Sequence, residues 1–272
     1  MMTDPVCACG ASRYETVLVG AFDRLGLQQY PFSVVRCAEC GLARTLPVPD
    51  DRQYYDGYGA STTEGRFVPR DDVWSARRAA WVRARSAGGR LLDIGCNVGE
   101  LVSAAGALGF DAEGIDVDPV AVAAGRELGR PISIRTLEEL AESSYEVVVL
   151  SHVLEHVVDL HALVPGVARV LVPGGRAFVF VPHYRGLVAR VMGQRWLFWA
   201  PHEHVWHFTP ATLRARVEAA SSLRLVACQT TSTLEPPSRG PKGLAKRGLC
   251  ALAAVIGAGD EIEATFEQPS GS

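Results

Sequence analysis

Leu91-Leu92-Asp93-Ile94-Gly95-Cys96-Asn97-Val98-Gly99-Glu100 is the stretch that decides the fold. A short apolar run ends in an acid, turns on glycines and enters a helical pattern over Gly99–Leu108. Gly95 lets a ligand approach the main chain, and Gly99 lets the helix begin close to it. Asn97 stands where another glycine is expected; asparagine tolerates left-handed backbone better than other non-glycine residues. The spacing is not the Gly-x-Gly-x-x-Gly of a dinucleotide site. A carboxylate at the strand end repels pyrophosphate and suits a cationic or ammonium-bearing ligand.

Outward from this turn, apolar strand runs alternate with helical patterns. Strands are expected at Arg90–Ile94, Asp111–Asp116, Ile132–Arg135, Glu146–Ser151, Arg176–Pro182, Leu223–Ser232 and Glu261–Glu267. Helices are expected at Asp71–Ser86, Gly99–Leu108, Pro119–Leu128, Leu160–Leu171 and Pro210–Ala220. That alternation predicts an α/β fold, a doubly wound, seven-stranded, mostly parallel sheet with helices on both faces. The last two strands read as an edge hairpin, with 233–259 as an insertion.

The second acid-bearing strand end is Gly114-Ile115-Asp116-Val117-Asp118-Pro119. Asp116 follows Asp93 by about 20 residues, where a carboxylate accepts both hydroxyls of a ribose. Read alone, the domain also suits another nucleotide-like ligand, because fold does not fix function. Together, Asp93, Gly95, Gly99 and Asp116 resemble the class I S-adenosylmethionine-dependent methyltransferases, with Asn97 replacing the middle glycine of the first motif. The resemblance covers roughly residues 70–232. It implies a Rossmann-like domain with S-adenosylmethionine as cofactor. Asp93, Gly95, Cys96, Asn97 and Gly99 would hold the methionine part, Asp116 and Val117 the ribose, and Thr136, Leu137 and Glu138 the adenine.

The fourth strand runs into Ser151-His152-Val153-Leu154-Glu155-His156. Ligands of open α/β sheets bind at strand C-termini, which places Ser151 beside the cofactor and His152 facing the reacting methyl group. Glu155 and His156 read more simply as local packing at a helix start.

With 272 residues, 48% apolar and 21% charged, the chain is long enough for a core without disulfide staples. Disorder and fibrous classes are excluded for most of it. A net charge of −3 argues against a nucleic-acid binder. Met1–Pro5 carries Asp4 where a signal peptide is basic, and Gly248–Gly259 is too short to cross a bilayer, so a cytoplasmic protein without membrane contact is expected.

In that compartment thiols stay reduced. Four of the seven cysteines fall within the first 40 residues. Cys37-Ala38-Glu39-Cys40-Gly41 is a Cys-x-x-Cys knuckle, and Cys7-Ala8-Cys9 is a narrower pair upstream. Cys7, Cys9, Cys37 and Cys40 are the expected ligands of one structural zinc. The partition is then 1–46 as a zinc-ribbon-like module, 47–70 as a linker or lid with Tyr54, Tyr55 and Tyr58, and 71–272 as the cofactor-binding domain. The same kind of ribbon occurs in methyltransferases of deoxysugars and other natural-product intermediates.

Pro201-His202-Glu203-His204-Val205-Trp206-His207 precedes Thr209-Pro210, a helix cap and first turn. One reading is acid–base chemistry, with His204 as base or its orienting partner and Glu203 behind it. Others are a metal on His202, His204 and His207, or plain hydrogen-bonded loop histidines. Glu203-His204 resembles the active-site pair of zinc-ribbon sugar C-methyltransferases. The sequence thus predicts methyl transfer to a small-molecule acceptor, a sugar or natural-product hydroxyl. Carbon methylation of a nucleotide-linked keto-deoxysugar is the alternative, and a non-catalytic cofactor-binding module is the alternative of another class. A homodimer is compatible with all three.

Overall fold

A computed structural model describes residues 7–22, 30–48, 73–201, 203–232, 248–253 and 255–270. The tyrosines of the expected lid and His202 lie outside these residues. The chain opens with three antiparallel strands, β1 (Tyr14–Phe22), β2 (Tyr30–Cys37) and β3 (Ala43–Leu46). Helix α1 (Val73–Arg83) leads into β4 (Arg90–Ile94), α2 (Glu100–Ala107), β5 (Asp111–Ile115), α3 (Pro119–Glu127) and β6 (Ile132–Ser133). Then follow β7 (Tyr145–Ser151), α4 (Leu160–Val170), β8 (Leu171–Pro182) and the short α5 (Leu187–Met192). Last come β9 (Trp206–His207), α6 (Pro210–Ala220), β10 (Arg224–Thr231) and β11 (Glu261–Glu267).

Seven strands form the expected sheet in the order β10-β11-β8-β7-β4-β5-β6. β4 pairs in parallel with both β5 and β7, and β7 with β8. β11 is antiparallel to β8 and β10, giving the edge hairpin. The chain winds outward from β4 to β6 and returns on the other side at β7. The C-terminal ends of β4 and β7 are therefore the switch point where ligands of such sheets bind.

Alternation along the strands splits the core. Leu91, Val147, Val149, Phe178 and Phe180 pack with Ala79 and Val82 of α1 and Leu101 and Ala105 of α2. Leu92, Ile94, Val148 and Leu150 take the other face, against Val164 and Val167 of α4 and Leu213 and Val217 of α6. Each such Val, Leu, Ile or Phe side chain contributes about 1.5–3 kcal/mol when fully buried. Among the described residues no helix is long and apolar enough to cross a membrane.

Three features depart from the sequence reading. β6 stops at Ser133, because it borders the sheet and pairs only with Gly114 and Ile115. The run after β7 makes a turn, not a helix start; the next helix begins at Leu160, capped by Asp159. β3 and β9 carried no signal, yet they pair (Ala43↔His207, Arg44↔Trp206) and complete a second sheet, β1-β2-β3-β9. The cysteine-bearing segment and the histidine loop thus share one sheet.

Candidate functional site

The glycine turn is fully formed. Gly95, Asn97 and Gly99 have φ of 69°, 51° and 81°. A Cβ on Gly95 would lie 2.7 Å from Val153 Cγ2, and one on Gly99 2.8 Å from Ile132 Cγ2, so side chains are excluded at both. The Gly95 and Cys96 amides donate to Ile115 O at 2.9 and 3.1 Å. Asp116 closes the turn from β5: Oδ2 accepts the Asn97 amide at 2.7 Å and Oδ1 the Asp118 amide at 2.9 Å. Val117 beside it is 56% exposed, an apolar surface open to a ligand. Thr136 and Glu138 are exposed too, whereas Leu137 is buried in the core. The Cys96 side chain is buried against Gly114, which leaves the main chain as its means of meeting a ligand.

Asp93 is 3% exposed, and its Oδ1 has no hydrogen-bond partner. Burial, and then the nearby Asp116 charge, raise its pKa from 3.8 to about 8. An orphaned buried carboxylate oxygen at a strand end is a waiting partner for a cationic group.

On the adjoining strand, Ser151 ends β7 and His152 follows with φ of 58°. His152 Nδ1 lies 2.8 Å from Glu155 Oε1; its Nε2 lies 2.9 Å from Arg78 of α1 and 3.4 Å from Glu261 of β11. Arg78 in turn donates to Glu261 at 2.6 Å. Burial opposes charge on His152, but hydrogen bonds to Glu155 and Glu261 prevail and hold its pKa near about 9. Its ring stacks on Phe198 at 6.0 Å. Sequence reasoning missed Arg78 and Glu261, because only the packing of α1 on the sheet and the strand order β11-β8-β7 bring them to His152.

The histidine loop packs against this cluster. His204 is 5% exposed, and its Nδ1 lies 2.9 Å from Phe198 O. The amides of Glu203 and His204 both converge on Ala200 O, and this turn puts the Phe198 carbonyl, not the Glu203 carboxylate, behind the ring. Burial first, then His156 and His207, hold the His204 pKa well below 6.5, so it is a neutral imidazole at neutral pH. His156 stands edge-on to it at 4.7 Å, with Nδ1 3.2 Å from Glu203 O. His207 faces elsewhere: Thr45 Oγ1 of β3 donates to His204 O at 2.7 Å and meets His207 Nε2 at 2.9 Å. Of the alternative metal set His202, His204 and His207, His202 lies outside the described residues; among those described, the side chains that gather ligand atoms with His204 are Glu155 and His156, not His207.

A methyltransferase domain family matches residues 70–221, more than half of the chain. The chain belongs to this family. It is an S-adenosylmethionine-dependent methyltransferase. The ubiquinone biosynthesis O-methyltransferase of Aeromonas salmonicida is 30% identical over 178 residues, 59% of this chain and 74% of that protein. The enzyme of the same name from Methylobacterium nodulans is 33% identical over 164 residues, covering 55% and 65%. That of Pseudomonas syringae pv. tomato is 35% identical over 126 residues, covering 42% and 54%. The chain thus spans between about half and three quarters of the length of these relatives. Two solved structures share the fold. One is an S-adenosylmethionine-dependent methyltransferase from Mesorhizobium loti (TM-score 0.53, 17% identity, 72% of this chain and 99% of that one). The other is the 1,6-didemethyltoxoflavin-N1-methyltransferase of Burkholderia thailandensis with bound S-adenosylhomocysteine (TM-score 0.54, 16% identity, 85% and 97%).

The methionine ammonium of S-adenosylmethionine would fit at Asp93, whose buried Oδ1 has no partner. This carries a pH prediction. The folded-state pKa of Asp93 is raised above its unfolded value, so its contribution to stability is full below about pH 4 and lost as pH rises through about 8. At pH 7 the empty site keeps the proton. A bound ammonium draws the Asp93 pKa down, so binding at pH 7 should release up to about one proton. Calorimetry in buffers of different ionisation enthalpy measures it. The release should vanish above about pH 9, and proton uptake at pH 7 would contradict it.

The four N-terminal cysteines also come together. Cys7 and Cys40 sulfurs lie 3.6 Å apart, as do those of Cys9 and Cys37, and all four fall within 4.8 Å of one another. A disulfide needs about 2.05 Å; four thiolates on a tetrahedral ion at 2.3 Å stand about 3.8 Å apart. The knuckle supplies main-chain amides to Cys37. Its burial disfavours the thiolate, but hydrogen bonds from the Cys40 and Glu39 backbone outweigh that and bring its pKa down to about 7. Burial pushes the Cys7 thiol up.

Proposed function

We propose that this enzyme transfers the methyl group of S-adenosylmethionine to a hydroxyl of a small molecule, a sugar or other natural-product intermediate. The observation that carries this reading is the histidine pair after β7: His152 stands one residue from Val153, which touches Gly95 of the turn, and the neutral His204 joins it through Phe198. The curated relatives named as O-methyltransferases support a hydroxyl acceptor.

In this reading Asp93, Gly95, Cys96, Asn97 and Gly99 hold the methionine part, Cys96 through its main chain. Asp116 and Val117 hold the ribose, Thr136, Leu137 and Glu138 flank the adenine, and Ser151 lies by the methyl group. His204 accepts the acceptor hydroxyl's hydrogen bond, Glu203 supports the loop, and His152 faces the sulfonium side. The displacement needs alignment and exclusion of water above all. Labelled S-adenosylmethionine incubated with a panel of glycosides and phenols tests this, with the attachment atom read by NMR. A label on oxygen supports the reading; a label on a ring carbon transfers it to the keto-deoxysugar alternative. That alternative is favoured by one observation, the β3–β9 pairing that puts the ribbon beside Glu203-His204.

We further assign Cys7, Cys9, Cys37 and Cys40 to one structural zinc, in a module of residues 1–46 ahead of the linker 47–70 and the domain 71–272. Elemental analysis should find about one zinc per chain in the cysteine cluster, lost in the Cys37→Ser/Cys40→Ser double variant. A metal-free protein of full activity, or zinc retained unchanged in the double variant, would refute the assignment.

A further inference from the structure

Glu155, His156 and His204 form a second cluster of ligand atoms, separate from the cysteines. One carboxylate oxygen and one nitrogen from each histidine all lie within 4.8 Å of one another. Glu155 is 1% exposed, and its Oε2 has no hydrogen-bond partner. Buried carboxylate oxygens nearly always have one, and leaving one bare is costly. Its other oxygen is already engaged, 2.8 Å from His152 Nδ1.

The histidines are oriented in a telling way. His156 Nδ1 faces the Glu203 carbonyl at 3.2 Å, and His204 Nδ1 faces the Phe198 carbonyl at 2.9 Å. A ring nitrogen facing a carbonyl carries the proton, so Nε2 carries the lone pair in both rings. Metal-ligating histidines are held in the same manner: the far nitrogen donates to a carbonyl, fixing tautomer and ring orientation, and a ligating carboxylate is itself hydrogen-bonded. All three supporting contacts are present here. Main-chain contacts brace the cluster as well, since Glu155 O accepts the Val205 and Trp206 amides at 2.7 and 3.0 Å.

We propose that Glu155 Oε2, His156 Nε2 and His204 Nε2 bind a divalent cation of borderline softness, such as Zn²⁺ or Co²⁺. Two imidazoles and one carboxylate are a donor set for such ions, and three protein ligands leave a position open. Binding draws the donors toward the roughly 3–3.5 Å mutual spacing that metal–ligand distances near 2.1 Å require. With the cation bound, His204 Nε2 would no longer be open to the acceptor hydroxyl as in the reading above, and an acceptor oxygen would take the open metal position instead, the pKa of its hydroxyl lowered. Cation binding itself does not depend on which acceptor is methylated.

Co²⁺ alone serves as the probe. The full chain is stripped with a chelator and titrated with Co²⁺ while absorption is followed. Cobalt on the cysteines shows sulfur-to-metal charge transfer; cobalt on two nitrogens and an oxygen shows visible bands without it. The expected result includes a thiolate-free event of one cobalt per chain. Glu155→Gln and His204→Ala should each weaken that event at least about 100-fold, and His152→Ala about 10- to 100-fold by releasing Glu155 Oε1. Unchanged far-ultraviolet circular dichroism and an unchanged thiolate event show that each variant has folded. A titration without a thiolate-free event, or one that survives unchanged in both Glu155→Gln and His204→Ala, overturns the site. Neither outcome decides the methyl-transfer reading, whose test is the methylated product.

Discussion

Replacing Asp116 by alanine should weaken S-adenosylmethionine binding by about 10- to 150-fold, or about 1.5–3 kcal/mol, the worth of hydrogen bonds to a charged acceptor. Two losses combine. The ribose hydroxyls lose their acceptor, and the amides of Asn97 and Asp118 lose the carboxylate that holds them at 2.7 and 2.9 Å. The second loss loosens the turn itself, so the methionine part suffers as well. Asp116→Asn keeps one acceptor oxygen and should fall between the two. Calorimetry on variants of unchanged circular dichroism measures both, and wild-type affinity in Asp116→Ala would remove the ribose role.

His204→Ala should lower the catalytic rate by about 10²-fold, the cost of misplacing an acceptor by about 1 Å. The loss should approach 10⁴-fold if Nε2 also receives the acceptor proton. Cofactor affinity should stay near the wild-type value, because the residues assigned to the cofactor lie at and after the ends of β4, β5, β6 and β7, outside the histidine loop. His207→Ala is the control. It removes the contact with Thr45 and should act mainly on stability. A rise confined to the acceptor's Michaelis constant would make His204 a binding residue. Equal losses at both histidines would mean that the loop had collapsed.

The turn proposed to hold the cofactor is legible in the sequence because its determinants are local. Glycines at 95 and 99, an asparagine between them and acids at two strand ends declare the backbone geometry of the turn within a few residues. The edge hairpin is legible for the same reason, since β10 and β11 are each long enough to show strand character. The part proposed for the acceptor is not legible. Trp206–His207 is a two-residue strand that exists only because Ala43–Arg44 lies beside it. Arg78 and Glu261 reach His152 from positions 183 residues apart in the chain. Glu155 and His156 look like a helix start, and only the fold shows a bare carboxylate oxygen and His204 in front of them. Burial likewise cannot be read from His-Glu-His, yet it is what makes His204 neutral.

The central claim is that the turn between Asp93 and Gly99, closed by Asp116, holds S-adenosylmethionine. Calorimetric titration of the purified chain with S-adenosylmethionine at pH 7 tests it most directly. The account predicts one saturable site per chain, competed by S-adenosylhomocysteine, with up to about one proton released. Absence of saturable binding to folded protein, or binding indifferent to Asp93→Ala and Asp116→Ala alike, would contradict it.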